Sequence, residues 1–388
     1  MIVPAEFDDI RPYQPEEIPQ AVDELEKDEE FRAVIEKAYP DVPFDELIRR
    51  ARSCKSLLEF QKTIPYGFME RLIESCTDGI DFDYTGLQRD KNYTFISNHR
   101  DIVLDSAFLA KLLVDNGFTN TVEIAIGDNL LARPWIRRLV RLNKSFIVKR
   151  SASGRERLLS SMQLGRYMHF AITEKHENIW IAQRQGRAKD SDDRTQDTVL
   201  KMMAFGGSED TVQGRLCELH IVPLSISYEF DPCDFLKARE FWKRHLDPSY
   251  RKTREEDVLS MQTGINGYKG RVHYQATRPL DKFLNGLPDN IVRNDLFRII
   301  AEQIDRQIHT AYHLFPNNYI AYDMLTDTQH FYKKYTSTEL HTFEDYLGWQ
   351  LEKVAIPDAD ETFLRNSILQ MYANPLINYY SAIGNDVD

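Results

Sequence analysis

Short apolar segments rich in β-branched residues alternate with amphipathic segments over most of the chain, and this alternation constrains the fold more than any other feature. Seven segments have the length and composition of strands: residues 80–84, 93–97, 121–126, 145–148, 179–182, 220–228 and 271–276. Helical spacing of apolar residues separates the second to the sixth of these segments, at residues 105–114, 134–142, 154–173 and 195–204. Because strands that alternate with helices form βαβ units, we expect an α/β fold with a mostly parallel or mixed central sheet flanked by helices.

Helical patterns also lie on either side of this alternating region. Residues 15–77 carry apolar side chains at three- and four-residue spacing, with breaks at Pro40, Pro43 and Pro65. Helical segments return at residues 235–245, 255–263 and 294–314, and from residue 326 onward. We therefore predict an N-terminal helical region at 1–77, followed by an α/β domain at 78–388 with a helical C-terminal extension.

Composition excludes several classes of protein. Hydrophobic residues make up 42% of the 388 residues and charged residues 28%, which is typical of a folded chain. No apolar run is long enough to span a bilayer, and the first residues do not form a secretion signal. The four cysteines are scattered without metal-ligand spacing. We expect a cytoplasmic protein with no metal site.

Charge is distributed unevenly along the chain. The net charge of −12 argues against non-specific binding of nucleic acid, and we expect no nucleic-acid partner. Residues 1–50 hold fifteen acidic and six basic side chains, whereas residues 133–157 hold nine basic side chains and only one acidic side chain, Glu156. A local cationic surface is therefore expected on a globally acidic protein.

The segment TFISNHRDIVLD, residues 94–105, is the strongest candidate for a catalytic site. A predicted strand ends there and presents His99 next to two carboxylates, Asp101 and Asp105. On one continuous helix, six residues would rotate His99 and Asp105 apart by about 240°. The two side chains can meet only if His99 lies in a turn and the helix begins after it. Either aspartate could instead cap the helix.

Three later segments follow this one in an order that resembles a known family. They are LNKSFIVKR at residues 142–150, IWIAQRQGRAKD at 179–190 and IVPLSISYE at 221–229. With the first segment, they resemble the four ordered blocks of the glycerolipid acyltransferase superfamily, which includes glycerol-3-phosphate and lysophosphatidate acyltransferases. The resemblance covers residues 94–229, about a third of the chain.

The resemblance implies transfer of a fatty acyl group from a thioester, carried by acyl carrier protein or coenzyme A, to a hydroxyl of a glycerol-phosphate or lysophospholipid acceptor. His99 would be the general base and Asp105 the carboxylate that orients it, with Asp101 as the alternative carboxylate. An imidazole is suited to taking a hydroxyl proton near neutral pH. No cofactor beyond the acyl donor is implied.

The same resemblance assigns the residues that bind the substrates. Arg150 at the end of block two and Arg187 in block three would bind the acceptor phosphate, since a guanidinium offers paired donors to phosphate oxygens. Lys149, Gln185 and Gly186 complete the predicted substrate-binding set.

Two departures from the family pattern leave alternatives open. The interval from His99 to Asp105 is one residue longer than the family's, and Gln185 stands where the family has glutamate, so the charge there is lost. The alternatives are a catalytically weakened relative that binds lipids or acyl carriers, and an acyltransferase for a different amphiphile such as an aminolipid.

The segment LLARPWIRRLVRL, residues 130–142, interleaves arginines with large apolar side chains. A basic amphipathic helix of this kind can lie on an anionic membrane surface, which predicts a peripheral location on the inner face of the cell membrane. Packing of the apolar face against the rest of the protein is the alternative.

Overall fold

Five helices precede the central sheet. The structure, a computed structural model, describes residues 3–131, 133–151, 153–288 and 290–385. The helices are α1 (Ile18–Glu26), α2 (Glu29–Ala38), α3 (Phe44–Ser53), α4 (Leu57–Thr63) and α5 (Pro65–Cys76). Asp28 and Ser56 cap α2 and α4 by accepting from backbone N–H groups three residues ahead. These caps divide the predicted helical region more finely than its prolines do.

Seven strands among the described residues form one mixed sheet. They are β1 (Ile80–Asp83), β2 (Thr94–Ser97), β3 (Val122–Gly127), β4 (Ser145–Val148), β5 (Asn178–Ala182), β6 (Ile221–Tyr228) and β7 (Val272–Ala276). The order across the sheet is β1-β7-β6-β2-β5-β3-β4. The five strands from β6 to β4 in this order are parallel to one another. β7 runs antiparallel to β6, and β1 is parallel to β7. The predicted α/β fold with a mixed sheet is confirmed.

Twelve α-helices follow α5 in the described part of the chain. They are α6 (Leu104–Asp115), α7 (Pro134–Leu142), α8 (Gly154–Thr173), α9 (Asp197–Met203), α10 (Val212–Glu218), α11 (Asp234–Leu246), α12 (Arg254–Asn266), α13 (Asp281–Asn285), α14 (Arg293–Thr310), α15 (Pro316–Thr326), α16 (Ser337–Val354) and α17 (Glu361–Ile383). The short helices α10 and α13 were not predicted.

The sheet is covered on both faces, as parallel strands require. One face packs on side chains of α5 and α6, including Met69 and Phe108, and the other on side chains of α8 and α14, including Tyr167 and Phe297. The C-terminal helices α15, α16 and α17 form a further apolar cluster with α11. The sheet and the segments that connect its strands are therefore held rigidly by helices on both faces.

Helix α7 covers residues 134–142 of the predicted basic amphipathic segment 130–142, of which residue 132 lies outside the described residues. Leu142 is fully buried in the apolar cluster of the N-terminal helices, and Trp135 and Leu139 pack against the same cluster. On the polar side Arg138 pairs with Glu24. The apolar face of α7, which was predicted to contact a membrane, thus packs against the N-terminal helices. Within the described residues, no helix is long and apolar enough to cross a bilayer.

The parallel strands bring their carboxyl ends to one edge of the sheet. β2 lies in the middle, between β5 and β6. The segments that follow β2, β5 and β4, which contain the first three blocks of the sequence, therefore leave the sheet at the same edge. In parallel α/β sheets this edge is where sites form.

Candidate active site

His99 and Asp105 form a hydrogen-bonded pair in the connection between β2 and α6. The strand ends at Ser97 and the helix begins at Leu104, so His99 lies in the turn before the helix. His99 Nδ1 is 2.7 Å from Asp105 Oδ2. The Asp105 side chain is 0% exposed and that of His99 is 12% exposed. The predicted contact is therefore made, and the imidazole reaches the surface.

The Asp105 carboxylate is held by four hydrogen bonds. Besides His99, Oδ2 accepts from the backbone N–H groups of Arg100 at 2.7 Å and Asp101 at 3.1 Å, and Oδ1 accepts from the Tyr228 hydroxyl at 3.0 Å. An ionised carboxylate can only accept, so the proton of the shared bond belongs to Nδ1. This tautomer leaves the lone pair on His99 Nε2, which has no hydrogen-bond partner among the described residues.

Trp180 of β5 fixes the imidazole from the side. Its ring meets that of His99 edge-on, with 5.5 Å between the ring centroids. The indole N–H donates to the Ser97 hydroxyl at 3.0 Å, so the tryptophan is itself anchored to β2. The ring of His99 is thus held by a carboxylate on one side and a packed aromatic ring on another, which preorganises it.

Asp101 has a different role from Asp105. Its Oδ1 accepts from the backbone N–H groups of Val103 and Leu104, both at 2.8 Å, so it caps the start of α6. The structure pairs His99 with Asp105 and not with Asp101, the predicted alternative, whose Oδ1 is bound by backbone N–H groups at the start of α6. Burial, followed by the charge of Asp105, raises the pKa of Asp101.

Helix α12 closes over this turn. A Cβ atom at Gly264 would lie 2.1 Å from Asp101 Oδ2. Only glycine lets the helix backbone approach the carboxylate this closely. The fit sets the position of α12 relative to the loop that carries His99.

A buried ion pair between Arg100 and Asp193 supports the loop that carries His99. Arg100 Nη2 is 2.7 Å from Asp193 Oδ2, and both side chains are at most 8% exposed. The Tyr312 hydroxyl donates to the same oxygen at 2.7 Å. Burial lowers the pKa of Arg100, but Asp193 and other nearby anionic groups outweigh it, and the net shift is upward. These residues were missed from the sequence, where no local pattern links them.

Asn98 ties the loop to β6. Its amide accepts from the Ile226 N–H at 2.8 Å and donates to the Ile226 carbonyl at 2.9 Å, as a neighbouring strand residue would. The backbone before His99 is therefore fixed even after β2 ends. Asn98 directly precedes His99 in the resemblance motif, which is the signal that could have identified it.

The segment after β5 lies beside His99. Ala182 pairs in register with Ser97, and the Gln183 N–H donates to the Ser97 carbonyl at 2.8 Å, so the two chain segments leave the sheet side by side. Arg184 Nε is buried without a partner among the described residues. Arg184 was not predicted, although it stands in the third block.

The predicted block-three residues divide between solvent and interior. Gln185 is exposed, and Gly186 has a φ of 75°, the left-handed conformation that favours glycine. Burial lowers the pKa of Arg187, but nearby Cys233, Asp231 and Asp101 outweigh it, so the net shift is upward. Its Nη1 is buried and has no hydrogen-bond partner in the described part of the chain. Arg187 is thus close to the His99 loop through Asp101.

Lys149 and Arg150 lie farther along the edge of the sheet. Both follow β4, which is separated from β2 by β5 and β3, a span of about 14 Å at the usual strand spacing. Lys149 forms an ion pair with Asp9. The Arg150 guanidinium packs beside Gly127, and burial lowers its pKa. Neither is brought into contact with the His99 loop.

Other chemistry finds little support in the described residues. They contain no group of three or more histidine, cysteine or acidic side chains that could hold a metal ion. The four cysteines are free thiols. Burial raises the pKa of Cys233 to about 12, so this thiol is a poor nucleophile at neutral pH.

Comparison with known proteins finds matches among solved structures only. No protein-family model and no curated protein matches the sequence. Among solved structures, the chain is similar to the 1-acyl-sn-glycerophosphate (LPA) acyltransferase PlsC from Thermotoga maritima, with 14% sequence identity and a TM-score of 0.35. The alignment covers 76% of this chain and 96% of that chain. A similarity at this TM-score gives no information about function.

Proposed function

We propose that this protein is an O-acyltransferase that moves a fatty acyl group from a thioester to a hydroxyl of a glycerol-phosphate or lysophospholipid acceptor. The observation that carries the proposal is the His99–Asp105 pair, with 2.7 Å between Nδ1 and Oδ2 and a free Nε2 on a ring that reaches the surface. The four sequence blocks in the order of the acyltransferase family supply the reaction class.

In the proposed reaction, His99 Nε2 takes the proton of the acceptor hydroxyl while the oxygen attacks the thioester carbonyl. A tetrahedral intermediate forms, the carbon–sulfur bond breaks, and the leaving thiolate receives the proton from the imidazolium. Asp105 keeps Nδ1 protonated and stabilises the imidazolium. The acceptor hydroxyl is the nucleophile, so the enzyme needs none of its own. General-base assistance contributes roughly 10²- to 10⁴-fold in rate.

The acceptor phosphate would be bound by Arg187, with Arg184 as an additional donor. Both guanidinium groups have a buried nitrogen without a hydrogen-bond partner in the described part of the chain. An unsatisfied buried donor is costly, and a phosphate oxygen would satisfy it with a charge-assisted bond. Arg150 is a weaker candidate because of its distance along the sheet edge.

One of the two departures from the family pattern loses its force. The longer interval between His99 and Asp105 does not separate the side chains, since their hydrogen bond is 2.7 Å long. The loss of charge at Gln185 remains. Because of this lost charge, a second candidate function is retained: a catalytically weakened relative that binds lipids or acyl carriers.

The test is acyl transfer by the purified protein from radiolabelled acyl-coenzyme A or acyl-acyl carrier protein. The acceptors are glycerol 3-phosphate, lysophosphatidate and an aminolipid precursor with a free hydroxyl. We expect ester formation with at least one phosphate-bearing acceptor. Transfer to the aminolipid alone would favour the acyltransferase for another amphiphile. No transfer, together with retained binding of lysophosphatidate, would establish the binding protein instead.

A further inference from the structure

The first two turns of α8 project from the protein with an apolar and basic surface. Residues 153–159 are all exposed, and Leu158 and Leu159 keep 50% and 54% of their surface accessible. Arg155 lies three and four positions before the two leucines and so shares their side of the helix. Two adjacent leucines in water next to arginine form a surface suited to a partner with both apolar and anionic parts.

The charge of this surface is not neutralised by the protein. Arg155 and Arg157 make no ion pair within the described residues, in contrast to Arg138 of α7, which pairs with Glu24. Residues 153–159 contain two basic side chains, Arg155 and Arg157, and a single acidic one, Glu156. A local positive surface therefore survives on a chain whose net charge is −12.

The position of α8 relates this surface to the candidate active site. α8 begins six residues after β4 ends, and β4 runs parallel to β3, β5 and β2. The connection from β4 to α8 thus leaves the sheet at the same edge as His99, and β4 is three strand spacings, about 14 Å, from β2.

We propose that residues 155–159 of α8 dock the protein on an anionic lipid bilayer, with Leu158 and Leu159 inserted at the interface and Arg155 and Arg157 on lipid phosphates. A bilayer interface offers hydrocarbon and negative charge side by side. An acidic carrier protein would satisfy the arginines but would need an apolar hollow for two neighbouring leucines. The choice of a bilayer rests in part on the proposed function, because a lysophospholipid acceptor resides there.

Sedimentation with vesicles tests this docking without any turnover. The full-length protein is mixed with vesicles of phosphatidylglycerol and phosphatidylcholine, or of phosphatidylcholine alone, at low and high salt. We expect binding to the anionic vesicles that weakens at high salt. The L158S/L159S variant should bind about tenfold or more weakly, because both side chains lose most of their apolar surface. The R155Q/R157Q variant should lose the dependence on anionic lipid.

The matched control is Val292→Ser. Val292 is 67% exposed and directly precedes α14. The other end of α14 contacts the His99 support, since His309 donates to the Asp193 carbonyl, and the helix length places Val292 about 27 Å from that end. This variant should bind vesicles like the wild type.

Two results would overturn the proposal. One is equal sedimentation of wild type and L158S/L159S. The other is that neither the wild type nor L158S/L159S sediments with vesicles, and that L158S/L159S binds purified acyl carrier protein more weakly than the wild type does. If the proposed function alone fails, all variants lack acyl transfer but the vesicle results stand as expected.

Discussion

Asp105 meets His99 although six residues separate them, because α6 begins only at Leu104 and the turn before it folds back on the carboxylate. The same Oδ2 accepts from His99 Nδ1 and from two backbone N–H groups of the turn. One carboxylate therefore shapes the loop and orients the imidazole. The extra residue relative to the acyltransferase pattern is absorbed in the turn.

Replacing Asp105 by Asn should lower acyl transfer by about 10²- to 10⁴-fold, because an amide cannot accept from all the present donors or stabilise the imidazolium. It should also lower the free energy of unfolding by about 1–3 kcal/mol. The matched control is Asp101→Asn, whose Oδ1 can still cap α6, and we expect activity within about threefold of wild type. Steady-state rates and urea unfolding measure both. Equal losses in the two variants would remove the distinction between these carboxylates.

Arg187→Lys should raise KM for a phosphate-bearing acceptor by about tenfold, because an ammonium lacks the paired donors of a guanidinium. The effect on kcat should be smaller. Gln185→Glu, two positions earlier, is the control: this side chain is exposed, so an added charge is solvated and activity should stay within about threefold. Initial rates over a range of acceptor concentrations decide between them. A large gain in activity from Gln185→Glu would mean that the family's charge is needed here.

Gly264→Ala should destabilise the protein by about 2–4 kcal/mol and reduce acyl transfer, because the new Cβ would lie 2.1 Å from Asp101 Oδ2. Gly348→Ala is the control, since a Cβ there meets nothing within 4 Å and the residue lies within α16. That change should stabilise the protein by up to about 1 kcal/mol. Thermal or urea unfolding gives both values. Equal stability of the two variants would contradict the close approach of α12.

Stability should depend on pH through Asp234, where burial, followed by the charge of Asp231, raises the pKa to about 7. The folded state then holds this proton more tightly than the unfolded state, whose aspartate has a pKa near 3.8. The contribution to stability is therefore lost as pH rises from about 4 to about 7. Asp234→Asn removes the titrating group and should therefore flatten this slope. Identical slopes for both proteins in urea unfolding would contradict the raised pKa.

Local sequence patterns predicted much of the fold. The bounds of α7, β4 and α8 agree with the predicted residues 134–142, 145–148 and 154–173, because each has strong periodicity and a clear break at its ends. The His99 turn was also predictable, since its geometry follows from where a strand must end and a helix begin.

Contacts between distant segments could not be predicted in this way. Nothing near Arg100 indicates that Asp193 and Tyr312 will enclose it, and nothing near Gly264 indicates that it will face Asp101. The same is true of the apolar face of α7. A helix that packs on a protein core and a helix that lies on a membrane have the same amphipathic pattern, so the sequence of α7 alone does not distinguish them. Whether a protein core or a membrane covers the face depends on helices α1 to α4, far from it in sequence.

The rate of acyl transfer by His99→Ala tests the account most directly. The imidazole reaches solvent and its ring is not part of the apolar core, so the variant should fold as the wild type does, which circular dichroism checks. We predict a loss of about 10²- to 10⁴-fold in kcat with labelled acyl donor and a phosphate-bearing acceptor. A folded His99→Ala protein that transfers acyl groups at the wild-type rate would contradict the role of His99 as general base.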